Sequence, residues 1–181
     1  IANDVVIENV DSLTTEGPSC FGNGEMVAVL NEAGGREVPM FNELSAHTAY
    51  LMTFYRHRPE LINKLYQMVE TYANGICSDM GTISEGVRII NSRTMLNVNF
   101  GPGALIEGIY RLVNGSVNSS PEHPTYFGPG VIAEDFIAAS GAEVSDATLI
   151  SKCFIGQGCH LGKHYSAENS LFFANCQGFH G

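Results

Sequence analysis

Two histidines four positions apart, His160 and His164, are the side chains in this chain best suited to move a proton. Unperturbed imidazole titrates near neutrality, so it can take a proton from a hydroxyl or amine and return it within one cycle. His160 lies between Cys159 and Leu161, where it is expected to point outward, and His164 precedes Tyr165 at a turn. Glu168 and Asn169 stand close in sequence and are of the types that orient an imidazole. The competing reading is two solvent-facing histidines with no task. His123, beside Pro124 in a polar stretch, reads first as a surface loop residue. Arg56-His57-Arg58 offers guanidinium forks that suit phosphate or carboxylate. It reads more simply as basic charge at the C-terminal end of a helix, where it complements the dipole. The glycines do not form a phosphate loop, since no Gly-x-x-x-x-Gly-Lys-Ser/Thr occurs. No spacing of His and Cys suits a metal ion.

The elements that must position these residues come from a repeated phrase. Ile83-Ser-Glu-Gly86-Val87-Arg-Ile89, Phe100-Gly-Pro-Gly103-Ala104-Leu-Ile106, Phe127-Gly-Pro-Gly130-Val131-Ile-Ala133 and Ile155-Gly-Gln-Gly158-Cys159-His-Leu161 share one pattern. An apolar residue is followed by Gly three places on, a small or β-branched residue next, and an apolar residue at the sixth place. Residues 1–7 fit as well, with Asp4 where the others have Gly. A period of six serves neither an amphipathic helix nor simple strand alternation. It serves a solenoid in which three hexads close one triangular coil and coils stack at strand spacing. Gly, or Asp4, takes the sharp bend, and the small residue beside it shares the crowded interior. Leu149, Ile155, Leu161, Ala167 and Phe173 continue the spacing, with Cys153, Cys159, Tyr165 and Leu171 at the fifth positions.

Residues 1–30 read as first coils, and Gly34-Gly35 and Pro39 mark 31–40 as an excursion. Residues 44–57 and 59–74 read as a helical hairpin inserted at about 42–76. Pro59 opens its second helix, Leu61, Leu65, Met68 and Tyr72 form its stripe, and Gly75 stops it. The stripe needs the solenoid's side or a neighbouring subunit to cover it. Residues 113–126 read as a projecting loop, because the step from Phe100 to Phe127 exceeds a coil of three hexads by nine.

Bulk composition narrows the partners. The chain has 181 residues, 44% of them hydrophobic and 15% charged, which suits a single globular domain with a sizeable core. A net charge of −10 argues against nucleic acid or an anionic membrane surface, both of which call for a basic patch. Five cysteines in no CxxC spacing read as reduced thiols of a cytoplasmic protein. No stretch has the length and character of a transmembrane helix or signal peptide. The hexad period is already running at Ile1 and still running near the last residue, so the chain reads as a piece of a longer solenoid.

The hexads resemble the transferase hexapeptide repeats of left-handed parallel β-helix proteins. That resemblance implies the left hand, which the usual rule for parallel crossovers would not. A closer likeness covers nearly the whole chain: Gly17–Gly24, Ala28–Glu32, Gly34–Pro39, Tyr55–Asn63, Cys159–Gly162, Tyr165–Ala167 and Ser170–Phe173. These phrases resemble an uncharacterised bacterial family of longer hexapeptide-rich proteins, some labelled as related to UDP-N-acetylglucosamine pyrophosphorylase. The superfamily implies an acyltransferase using acyl-CoA as co-substrate on a sugar or sugar-nucleotide, with His164 or His160 as base. It implies a homotrimer with active sites between subunits, and loops such as the one holding His123 covering acceptor or cofactor. Two alternatives stand beside it: a sugar-nucleotide binding or regulatory β-helix, and a non-catalytic trimeric scaffold. The nucleotide-binding signature of the pyrophosphorylases is absent from the chain.

Overall fold

A computed structural model describes residues 1–30 and 34–179, so Asn31 and Glu32 of the family-like phrases lie outside the described residues. The chain is a parallel β-solenoid with an inserted helical pair. Three faces alternate along it. Face 1 begins with the first part of β1 (Val6–Thr14) and of β4 (Arg88–Phe100). It continues through β5 (Leu105–Glu107), β7 (Tyr126–Phe127), β9 (Glu143–Val144), β11 (His160–Gly162) and β13 (Gln177–Phe179). The rest of β1 turns onto face 2, and the rest of β4 onto faces 2 and 3. There β6 (Arg111–Val117), β8 (Ile132–Ala138), β10 (Leu149–Ile155) and β12 (Ser166–Phe172) stack in order.

The repeat phrase does what its residues predict. Asp4, Gly86, Gly103, Gly130 and Gly158 all have φ between 56° and 75°, the left-handed region that Gly enters freely and Asp tolerates. The following Val87, Ala104, Val131 and Cys159 are fully buried, and the flanking Ile83, Ile89, Phe100, Ile106, Phe127, Ile155 and Leu161 join them in one core.

The coil length differs from expectation. Thr94 pairs with Arg111, Ile132 with Leu149, and Glu143 with His160, so each coil is one position short of three full hexads. One corner of each triangle is made by a single left-handed residue between faces 2 and 3. These are Asn97, Asn114, Asp135, Lys152 and Asn169, with φ from 48° to 56°. The six-residue ladder therefore does not run unbroken. Ile150 rather than Leu149 faces the core, and Leu171 and Phe173 face outward against the insert. The loop is shorter than predicted as well. Tyr126 pairs with Leu105, and Ile132 with Arg111, a step only four positions longer than the usual coil. The excess projects within 118–125, and 113–117 belong to β6.

The insert begins earlier than residue 31. Val6 pairs directly with Arg88, so nearly everything between β1 and β4 is a departure from the coil. After β1 the chain leaves the solenoid, and residues 16–28 run beside the left-handed column. Asn97 Oδ1 accepts from Glu16 N, Asn114 Oδ1 from Gly22 N, and Asn169 Oδ1 from Ala28 N. A small antiparallel pair, β2 (Met26–Val27) and β3 (Val38–Pro39), leads to α1 (Ala46–Phe54), capped by Ser45, and α2 (Pro59–Ile76). The helices cover face 3 of their own solenoid. Outward-facing Ile137 and Phe154 are buried among Val27, Val38, Met40, Leu44, Met52 and Val69. The buried residues of α2 are Ile62, Val69 and Ala73; of the expected stripe Leu65 and Tyr72 pack against the same cluster, and Met68 is exposed. Gly75 lies inside α2.

Two readings of individual residues are corrected. Cys20 and Cys77 form a disulfide across the neck of the insert, beside paired Ser19 and Ser78, so the cysteines are not all free thiols. Arg56-His57-Arg58 does not close a helix: α1 ends at Phe54 and Arg58 stands at the start of α2. Arg56 turns inward, its Nη2 donating to Glu37 O at 2.6 Å, with the guanidinium over the Tyr66 ring.

Candidate functional site

On face 1, inward Val144 and Leu161 lock β9 and β11 in register, and strand alternation points Glu143 and His160 out together. His160 Nδ1 lies 2.9 Å from Glu143 Oε2, and both side chains are about half exposed. An Nδ1–H donated to the carboxylate fixes the ring and leaves Nε2 as the free acceptor, the arrangement of an oriented general base. Tyr126 continues the column one coil earlier. Burial, and then the carboxylates of Glu107, Asp146 and Glu143, push its phenol above the usual range, so it stays an O–H donor.

His164 is not part of this group. It stands at the corner after β11 with φ 62°, its N–H donating to Asp146 O at 2.9 Å, and its side chain is exposed. Glu168 and Asn169 do not serve an imidazole either. Asn169 Oδ1 holds Ala28 N, and its Nδ2 donates to Glu168. Proximity along the chain points to the wrong carboxylate and misses Glu143, one coil away. The signal that finds it is the coil length.

A trough lies at the corner between faces 3 and 1, where the chain turns toward β9 and β11. One half, about 310 Å³, is floored by Phe154, Phe173 and Leu44 and walled by Asn42, Glu43 and Ser45 ahead of α1. The other, about 550 Å³, is lined by Ser120, His123, Ser140 and Asn175. Gln157 and Ala174 belong to both halves. The lining Gly141 and Gly158 precede Glu143 and His160 by two positions, in the turns that lead into β9 and β11. The trough is walled where the repeat is broken, by the insert at one end and the short loop at the other. His123, read from sequence as a surface residue, is exposed but held in place. Its N–H donates to Ser120 O, and its carbonyl accepts from Ser140 Oγ at 2.8 Å. Buried Thr125 anchors the loop by donating to Asn118 O and accepting from Gly141 N.

Among the described residues no three His, Cys, Asp or Glu side chains converge as a metal site would require, and no helix is long and apolar enough to cross a membrane.

The fold and this surface define a repeat protein, a parallel β-solenoid whose corner carries a trough. Residues 1–181 match the family described as Domain of unknown function (DUF4954), and the chain belongs to that family. It is similar to a protein of Treponema pallidum (strain Nichols) described as "Uncharacterized protein", with 32% identity over 155 residues. The match covers 80% of this chain and 21% of that relative, so the chain spans about a fifth of the relative's length. No solved structure matches.

Proposed function

We propose that this chain is an acyltransferase-like β-helix that moves an acyl group from acyl-CoA to a hydroxyl or amine of a sugar or sugar-nucleotide. The observation that carries this reading is the 2.9 Å contact between Glu143 and His160, two positions along the chain from the trough-lining Gly141 and Gly158. An acceptor lying in the trough brings its nucleophile to His160 Nε2. The imidazole takes the proton as the nucleophile attacks the thioester carbonyl, and the imidazolium returns it to the departing thiolate. Glu143 orients the ring and stabilises its charged form. His164, the other expected base, has no such partner among the described residues, so the role falls to His160. Face 1 carries no insert, whereas face 3 is covered by one, and a homotrimer seated on face 1 would close the site.

The test uses the full-length parent protein. Calorimetric titration with acetyl-CoA, followed by thiol release in the presence of an acceptor panel, should show saturable binding and turnover. His160→Ala should lower turnover by about 10²-fold or more with donor affinity kept. Glu143→Gln should lower it less, and His164→Ala should leave it unchanged. Binding of UDP-N-acetylglucosamine without turnover would replace this reading by the sugar-nucleotide binding one. A correctly assembled protein that binds neither would leave the scaffold reading in its place.

A further inference from the structure

The two walls of the trough are tied to each other, and to the neck of the insert, by three amide side chains. Asn118, at the start of the short loop, donates Nδ2 to Asn42 Oδ1 at 3.0 Å, just ahead of α1. Asn42 in turn donates its backbone N–H to Asn23 Oδ1 at 2.9 Å. Asn23 is 4% exposed, and its Nδ2 donates to Cys20 O at 2.9 Å, beside the disulfide to Cys77. Each wall is also held from its own side. Asn118 O accepts from Thr125 Oγ1 at 2.7 Å, which fixes the far end of the loop, and the Asn42 side chain is bonded to Tyr72 of α2. At buried Asn23 a lost partner is not replaced by water, so the segments it joins shift together or leave a polar group unsatisfied.

We propose that the Cys20–Cys77 disulfide is a redox control on the trough, carried from the neck to both walls through Asn23, Asn42 and Asn118. Closed, the bridge holds residues 19–20 against 77–78 and so fixes the point from which Asn23 holds Asn42. Cys20 lines a cavity of about 560 Å³ with Glu70, Asn74, Asn97 and Asn114, which admits a small dithiol. A thiolate of that dithiol attacks Cys20 Sγ, the Cys20–Cys77 bond breaks, and Cys77 leaves as a thiolate that takes up a proton. The second thiol of the reductant, deprotonated, attacks the reductant's own sulfur in the mixed disulfide and expels Cys20. One protein disulfide and one dithiol go in; two protein thiols and one cyclic disulfide come out. With the bridge open, only the Ser19–Ser78 pair joins the two sides of the neck. Asn42 and the loop at 118–125 then lose their fixed reference. The inference concerns the walls of the trough and does not depend on the acyltransferase reading.

The readout is amide hydrogen exchange of the full chain, oxidised and after dithiothreitol, resolved by peptide. Cys153, Cys159 and Cys176 are already thiols, so the reductant acts on the neck alone. Reduction should speed exchange in 118–125 about tenfold, the factor one hydrogen bond is worth, along with 16–28 and 41–46. β6 and β8 should keep their protection. Cys20→Ser/Cys77→Ser should match reduced wild type and ignore the reductant. In Asn42→Ala, and in Asn118→Ala should that variant fold poorly, 118–125 should exchange fast in both states and no longer respond to reduction. The proposal is overturned if reduction leaves 118–125 unchanged, whatever happens to the insert, or if the loop of Asn42→Ala still responds. It is equally overturned if β6 and β8 lose protection together with the loop, because the effect is then unfolding of the coils.

Discussion

Glu143 and His160 meet because each coil is one position short of three hexads; nothing in the sequence around either one marks the other. Other residue-scale features follow from the same stacking. Gly115 pairs with Phe136 one coil on, and a Cβ at Gly115 would sit within the Phe136 ring. Gly115→Ala should therefore cost about 1–3 kcal/mol by overpacking, read as a lower denaturant midpoint with an unchanged m-value. Cys153 gives a pH signature. Burial holds its thiol at about 11 against 9 in the open chain, so the folded state keeps a proton that the unfolded state has lost. The associated stability is fully present below pH 9 and is lost as pH rises through 11, about 2–3 kcal/mol in all. Denaturation series at pH 8 and pH 11 should show that loss in wild type and a smaller one in Cys153→Ala.

At the scale of elements, the insert is held by a covalent neck and an apolar seat. Cys20 and Cys77 have a sequence separation of 57, and closing a loop of that length corresponds to about 4 kcal/mol in the chain-entropy picture. Reducing that bond should lower the melting temperature and expose 41–76 to proteolysis before the solenoid strands. The seat is the outward column Ser116, Ile137, Phe154, Leu171, polar at the neck end and apolar beneath the helices. Phe154→Ala should cost about 3–5 kcal/mol and loosen the helices while the strand signal in circular dichroism persists. The helices were legible from Pro59 and the apolar spacing, and the coil from the left-handed Gly residues and their buried neighbours. The third corner was not. Asn97, Asn114, Asp135 and Asn169 are of the types that tolerate the left-handed region, but with Lys152 among them they look like ordinary polar residues until their coil-to-coil spacing is noticed. The seat was hidden for a related reason. Phe154 and Phe173 are apolar residues in a hexad-rich stretch, and hydrophobicity alone does not say which side of a solenoid wall they face.

For the whole molecule, each coil touches only its neighbours, so stability is a sum of coil and interface terms. A chain lacking 16–80 would have β1 and β4 in the same step as the rest. It should keep a parallel-strand circular dichroism spectrum. It should also self-associate, because Ile137, Phe154 and Leu171 lose their cover, and polar substitutions there should restore dispersal on size-exclusion chromatography. A truncated chain that unfolds outright would show instead that the insert is needed to form the first coils.

The neck described above brings the two ends of the long departure side by side, as a single antiparallel step at Ser19 and Ser78. The solenoid thus has a socket. Any compact unit whose termini emerge as such a step, and whose inner side matches the Ile137–Phe154–Leu171 seat, could be exchanged for the helices without moving a strand. The trough wall contributed by residues 42–46 would then be replaceable as one cassette, while the Glu143–His160 pair stayed where the stacking puts it.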